Sequence, residues 1–262
     1  MQCAQNPSPL LDIEVAGLRK SFGGRNGDDL VVFDGLTFSV ARGSLLAIVG
    51  PSGCGKSTLL RILAGCESKS AGKVHVDEDR RAHSASIEQR PALLPWRTAF
   101  QNACLGAEVR GRLNSTIAQR VRDAFESFGL KGFEDHFPPE LSGGMQQRVA
   151  IIRALESSPW MLFCDEPFSA IDFVARLGLS TEFKKMCRLL GCTTLFVTHN
   201  IEEAIFLGDR ILVMGKRPCQ IVDDLSPALS RFPEDAVKCR QSPEFAEYFD
   251  RIWAALETKP HG

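Results

Sequence analysis

The segment GPSGCGKST, residues 50–58, fits the spacing G-x-x-x-x-G-K-[ST] from Gly50 to Ser57. That spacing suits phosphate. Glycines let successive backbone N–H groups turn inward on anionic oxygens, and a helix start behind them adds its positive end. Gly50, Pro51, Ser52, Gly53, Cys54 and Gly55 then form the loop. Lys56 reaches the β and γ phosphates, Ser57 offers an oxygen to Mg2+, and Thr58 supports the loop. The flanks agree. SLLAIVG is apolar enough for a buried central strand, and LLRILAG reads as a short helix ending at Gly65. A nucleotide with magnesium is the expected ligand.

Such a loop needs a carboxylate nearby. MLFCDE, residues 161–166, is a strand that delivers Asp165 and Glu166 at its C-terminal end, where open sheets bind ligands. Asp165 is expected to hold the magnesium shell through water, and Glu166 to polarise the attacking water. An Asp-Glu pair elsewhere is a solvated turn; after an apolar strand, in a chain with a phosphate loop, it reads as chemistry. Gln89 and His199 each close another strand. Gln89 is a sensor of the γ phosphate and the metal, and His199 hydrogen-bonds the γ phosphate and positions the water. Each signal is weak alone, since a lone His is more often structural. Phe22, in LRKSFGG, either stacks on the base or sits in the core.

LSGGMQQR, residues 141–148, is a second glycine-rich helix start. Ser142, Gly143 and Gly144 make another anion-binding mouth. One chain has little reason to aim both mouths at the same phosphate. Two copies packed head-to-tail do, each lending Ser142 and Gly144 to the nucleotide held by the other.

These residues need a scaffold. Strands are expected at Leu11–Val15, Leu36–Val40, Ser44–Val49, Lys73–Val76 and Ser84–Gln89, with Arg42-Gly43 as a turn. From Pro91 to about Ser158 the pattern becomes helical, with Ile117, Val121, Ala124, Phe125 and Phe128 on one face. Strands resume with WMLFCD, TTLFVT and RILVM, and a helix runs from about Ala175 to Leu190. The expected fold class is α/β, one domain over 1–262. A nucleotide-binding core spans 11–90 and 159–225, a helical subdomain 91–158, and a short helical tail 226–262. In that tail Phe245, Phe249, Ile252, Trp253 and Leu256 form a stripe, read as packing on the chain's own core.

Bulk properties exclude several classes. Lys plus Arg total 31 and Asp plus Glu total 32, so no overall basicity points to nucleic acid. No apolar run approaches the roughly 20 residues of a membrane span, and the first residues do not read as a signal peptide. The nine cysteines are scattered, with no CxxC pair, and read as reduced, mostly buried thiols of a cytosolic chain.

Taken together the motifs resemble the ATP-binding-cassette ATPases. Gly50–Thr58 resemble that family's Walker A motif, Gln89 its Q-loop, Leu141–Gln146 its signature, Met161–Glu166 its Walker B, Ser169–Asp172 its D-loop with Ile171 in place of leucine, and His199 its switch histidine. The resemblance covers roughly residues 11 to 225. It implies a P-loop core with a helical insert and a peripheral antiparallel β region, ATP and Mg2+ as cofactors, and nucleotide contacts from Gln146 and Asp172. It also implies a sandwich dimer of two copies that drives two transmembrane permease subunits, with no nucleic-acid partner. A finer likeness, carried by QRPALLPWRTAFQNACLG, DEPFSAID and SPEFAEYFDRIWAAL, is to bacterial importer subunits for nitrate, taurine, alkanesulfonates and related solutes. There a periplasmic or lipoprotein solute-binding protein delivers the cargo, and the ATPase lies on the cytoplasmic face of the inner membrane. Leu93, Leu94 and Trp96 are then permease-interface candidates, or else core of the insert. The chain departs from that group in the loop 25–30 and in IDFVARLGLS after the D-loop. A soluble cassette ATPase acting on DNA or ribosomes, and an exporter subunit, are the alternatives. One cassette without a heptad tract speaks against the first, the LLPW segment and the tail against the second.

Overall fold

A computed structural model describes residues 10–23, 29–227 and 235–257. It contains two sheets. The smaller is antiparallel, in the order β2-β1-β4, built from β1 (Leu11–Phe22), β2 (Leu30–Ala41) and β4 (Ala71–Val76). The larger has the order β5-β6-β7-β3-β8-β9. Its strands are β3 (Leu45–Val49), β5 (Ser84–Ile87), β6 (Met161–Asp165), β7 (Thr193–Thr198), β8 (Arg210–Met214) and β9 (Ile221–Leu225). All pairings are parallel except that of β8 with β9.

The central strands are apolar on both faces because both faces are covered. Leu45, Ala47 and Val49 of β3 point into one core, Leu46 and Ile48 into the other. The first core receives α3 (Ala99–Val109), α4 (Ser115–Ser127), α5 (Gly143–Glu156), α6 (Phe173–Leu190) and α7 (Ile201–Leu207). The second is closed by α1 (Lys56–Leu63) and the antiparallel sheet. Val121, Phe125 and Phe128 of the α4 region belong to the same buried cluster as Val49 and Phe196, so the helical insert shares its core with the sheet.

Several expected boundaries shift. β1 and β2 run longer than their sequence signals, because they pair with each other as far as Phe22 and Leu30, and β4 adds partners for Ala16 and Arg19 of β1. β5 stops at Ile87, so Gln89 lies in the bend beyond the strand and is exposed. β9, a short α2 (Glu78–Ala82) and α8 (Ala236–Arg240) carried no clear periodic signal. The tail stripe forms α9 (Pro243–Glu257), with Phe245 and Ile252 buried, Phe249 and Leu256 packed on the core, and Trp253 half exposed. Most of the expected loop 25–30 lies outside the described residues. No described helix is long and apolar enough to cross a membrane.

Candidate functional site

The larger sheet gathers its polar residues at the C-terminal ends of β3, β6 and β7. After β3 the chain turns through Gly53 (φ 77°) and Gly55 (φ 119°) and enters α1 at Lys56. The first amides of a helix have no carbonyl behind them, so this turn presents N–H groups to the solvent side. Below it there is no room. A Cβ on Gly55 would stand 2.4 Å from Val32 Cγ1, and one on Gly50 would stand 2.7 Å from the Met214 carbonyl oxygen. From the β8–β9 hairpin, Arg217 Nε donates to the Gly53 carbonyl at 2.6 Å. Lys56 is buried, and its Nζ donates to the carbonyls of Gly50 (2.7 Å) and Pro51 (3.0 Å).

Ser57 and Asp165 meet although their strands are not neighbours. α1 passes across β7 to β6, and Ser57 Oγ donates to Asp165 Oδ1 at 2.9 Å. Burial pushes the Asp165 carboxyl up, and the Ser57 hydrogen bond opposes this. A hydroxyl and a carboxylate are hard oxygen donors of the kind Mg2+ takes, so these residues fit the metal. The next residue, Glu166, has φ 48°, a left-handed backbone uncommon for a residue with a side chain. Its N–H donates to Val197 O at 2.9 Å. Its Oε2 lies 3.0 Å from His199 Nδ1 at the end of β7. The strained turn is anchored by Phe168, which is fully buried against Phe183 and Phe196 at ring-centroid distances of 5.6 Å.

The other candidates are dispersed. Ser142 caps α5, its Oγ accepting from Met145 N at 3.3 Å, and Gln146 Nε2 donates to Pro138 O at 2.8 Å. Gly144 lies against the Ala170 carbonyl, where a Cβ would come within 3.0 Å. Among the described residues, no hydrogen bond runs from Ser142, Gly143, Gly144 or Gln146 to residues 50–58. Asp172 caps α6, accepting from Ala175 N at 3.0 Å, and is exposed. Phe22 is 39 % exposed at the end of β1, with the Lys20 ammonium 4.3 Å from its ring centre, so the core alternative for Phe22 fails. Trp96 is 71 % exposed, whereas Leu93 packs on the core.

Sequence reasoning missed the residues that hold these parts together. Buried Gln147 donates from Nε2 to Glu88 O (3.1 Å), and Arg153 donates to the carbonyls of Pro91 and Ala92 (2.9 Å each). The helix capped by Ser142 thereby grips the bend that carries Gln89. Gln147 and Arg153 are polar residues on a buried helix, and only the carbonyls they meet explain them.

Comparison with known proteins gives the family. A family model described as ABC transporter matches residues 33–169. The chain belongs to the ABC transporter family. An aliphatic sulfonates import ATP-binding protein of Pseudomonas syringae pv. syringae is 42 % identical over 224 residues, covering 85 % of this chain and 88 % of that protein. An uncharacterized ABC transporter ATP-binding protein of Methanocaldococcus jannaschii is 39 % identical over 236 residues, covering 88 % and 86 %. The dimeric structure of a bacterial ABC transporter cassette superposes with a TM-score of 0.70 at 26 % identity, covering 82 % of this chain and 98 % of that one. The ABC cassette fold is thus shown: a RecA-like P-loop core, a helical subdomain and a peripheral sheet. The protein is an ATP-binding, ATP-hydrolysing domain of this family, and family and fold imply ATP and Mg2+ as its ligands.

Proposed function

We propose that this ABC ATPase is the energy-coupling subunit of a binding-protein-dependent importer for a small solute, with an aliphatic sulfonate or related anion as cargo. The observation that carries the chemical part is the convergence of Ser57–Asp165 and Glu166–His199 at adjoining strand ends, beside a glycine loop closed to a side chain at Gly50 and Gly55. In this reading Lys56 leaves its two carbonyls for the β and γ phosphates, and Ser57 and Asp165 hold Mg2+. The metal neutralises charge on the transferred phosphoryl group. Glu166 accepts a hydrogen bond from the attacking water, and His199 swings from the Glu166 carboxylate to orient it. Gln89 reports on the γ phosphate from the bend beyond β5. Ser142, Gly144, Gln146 and Asp172 act on the ATP of a second copy, which suits their separation from residues 50–58 within one chain. Phe22 is placed to stack on adenine.

The importer part rests on relatives. Import proteins for aliphatic sulfonates match over most of their length. A spermidine/putrescine import ATP-binding protein of Photobacterium profundum is 41 % identical over 223 residues, covering 82 % of this chain and 58 % of that protein. Cargo differs among relatives of similar identity, as expected if the solute pocket belongs to the permease and binding protein. In this reading two permease subunits seat on the helical insert, around Leu94 and exposed Trp96, at the cytoplasmic face of the membrane. The test is co-purification with the permease encoded beside it, reconstitution with the binding protein, and ATPase assay across alkanesulfonates, taurine, nitrate and polyamines. Stimulation by a sulfonate supports the reading. Stimulation by polyamine alone overturns the cargo, and ATPase activity indifferent to any permease overturns the importer.

A further inference from the structure

We propose that Arg176 and Glu203 are positioning residues for hydrolysis, a partly buried bridge that ties segment 169–172 to the turn carrying His199. The inference rests on the ATPase reading and adds to it a mechanical link within one chain. Arg176 lies in the first turn of α6. Its Nη2 donates to the Ile171 carbonyl at 2.7 Å, and its Nη1 stands 3.4 Å from Glu203 Oε1. Glu203 lies in the first turn of α7 and is 7 % exposed. Its Oε2 accepts from Thr198 Oγ1 at 2.6 Å, and that hydroxyl oxygen accepts from Asn200 N at 3.0 Å. His199 sits between the two residues so clamped, with Nδ1 at Glu166. A chain of contacts thus runs from Ile171 through Arg176, Glu203 and Thr198 to the histidine turn.

Two further observations favour a positioning role. Arg176 Nε is buried without a hydrogen-bond partner among the described residues, so the fold keeps this guanidinium in place despite an unsatisfied donor. The same two helix starts are also braced from outside. Arg240 of α8 pairs with Glu202 at 2.9 Å and lies 5.1 Å from the Phe173 ring centre. Packed elements with discrete arrangements transmit small shifts. Movement of the 169–172 segment, in which Ser169, Ala170 and Asp172 are exposed and Ile171 is buried, by a second copy or otherwise, would therefore move His199 against Glu166.

The test uses the full chain. Arg176→Ala should lower kcat at least ten-fold while affinity for a fluorescent ATP analogue stays within three-fold of wild type. Arg176→Lys should recover part of the loss, because an ammonium can keep one of the two contacts. Arg176→Ala combined with Glu203→Gln should be no worse than the poorer single variant. Arg251→Ala, which breaks the ion pair with Asp223 on β9, should leave kcat within two-fold. Amide exchange at residues 199–203 should accelerate about ten-fold in Arg176→Ala, with residues 56–63 unchanged; this measurement decides the bridge whatever the rate of turnover. Unchanged exchange in Arg176→Ala overturns the bridge, and wild-type kcat with accelerated exchange overturns its role in hydrolysis. A wild-type chain that neither binds nor hydrolyses Mg-ATP overturns the underlying reading instead.

Discussion

Gly55→Ala should damage this protein more than any other alanine in the phosphate loop, and the size of the effect can be worked out. Gly55 has φ 119°, outside the left-handed well that an alanine tolerates. Such a backbone costs about 1–3 kcal/mol for a residue with a Cβ. The new methyl also lands 2.4 Å from Val32 Cγ1 and 3.3 Å from the Phe33 ring, both in the core under the loop. Overpacking of that kind costs about 1–3 kcal/mol. Together the substitution removes roughly 2–6 kcal/mol, or about 4–24 °C in Tm at the 2–4 °C per kcal/mol of a chain this size. Gly53→Ala is the control. Its φ of 77° is closer to the left-handed well, and its Cβ would meet only Arg217 Nη2 at 3.6 Å. It should lose about 1–2 kcal/mol from the backbone alone. Thermal melts of the two variants and the parent, with nucleotide affinity measured by calorimetry, provide the comparison. If Gly55→Ala melts within 2 °C of the parent, or if Gly53→Ala is the worse of the two, the packing argument is wrong.

Other expectations follow from single contacts. Lys56→Ala should abolish nucleotide binding, since Lys56 is the cation that the loop itself carries; calorimetry showing near-normal Mg-ATP affinity would remove it from the site. Glu166→Gln should bind ATP normally, lose turnover and accumulate as an ATP-bound pair on gel filtration without magnesium; a monomer that stays saturated with ATP would speak against the sandwich. Cysteines at Ser52 and Ser142, in a chain stripped of native cysteines, should crosslink between two copies when ATP is added, and crosslinks confined to one copy would refute the head-to-tail arrangement. Lys184 tests the pH dependence of stability. Burial lowers it from 10.5 to about 8, so between those values the folded state binds fewer protons than the unfolded one and stability rises with pH. Relative to Lys184→Met, the parent should therefore gain stability in urea melts from pH 7 to pH 9.5, and a flat or falling difference would contradict the assignment.

The parts of the site that were legible in the sequence are those written as local pattern. A glycine loop between an apolar run and a helix, a carboxylate pair ending a strand, and a capped glycine helix start all declare themselves within ten residues. Their burial explains why: Leu45–Val49 and Met161–Asp165 are covered on both faces, so no polar residue interrupts them before the functional one. Gln89 was harder to place because β5 is an edge strand, four residues long, in which only Ile87 is fully buried, and Gln89 lies two residues beyond its end. α8 and β9 were missed for the same reason: α8 is a five-residue helix, and β9 alternates weakly along an exposed edge.

What stayed hidden were pairings between residues far apart in the chain. Arg176 and Glu203 look like ordinary charges on two helices, and a charge on a helix usually faces water. Only the fold shows that both helix starts turn inward beside β7, where a lone charge would be costly and a paired one can hold a turn in place. The same holds for Gln147 and Glu88, and for Arg217 and Gly53. In each case one partner is a backbone carbonyl or a buried carboxylate, which leaves no trace in the composition of its surroundings. The residues that would carry out the chemistry are thus written in short motifs, while those that set their distances are distributed over several helices and a hairpin. The two sets should therefore separate on mutation: motif residues by abolishing binding or turnover outright, and bridge residues by changing kcat with affinity preserved.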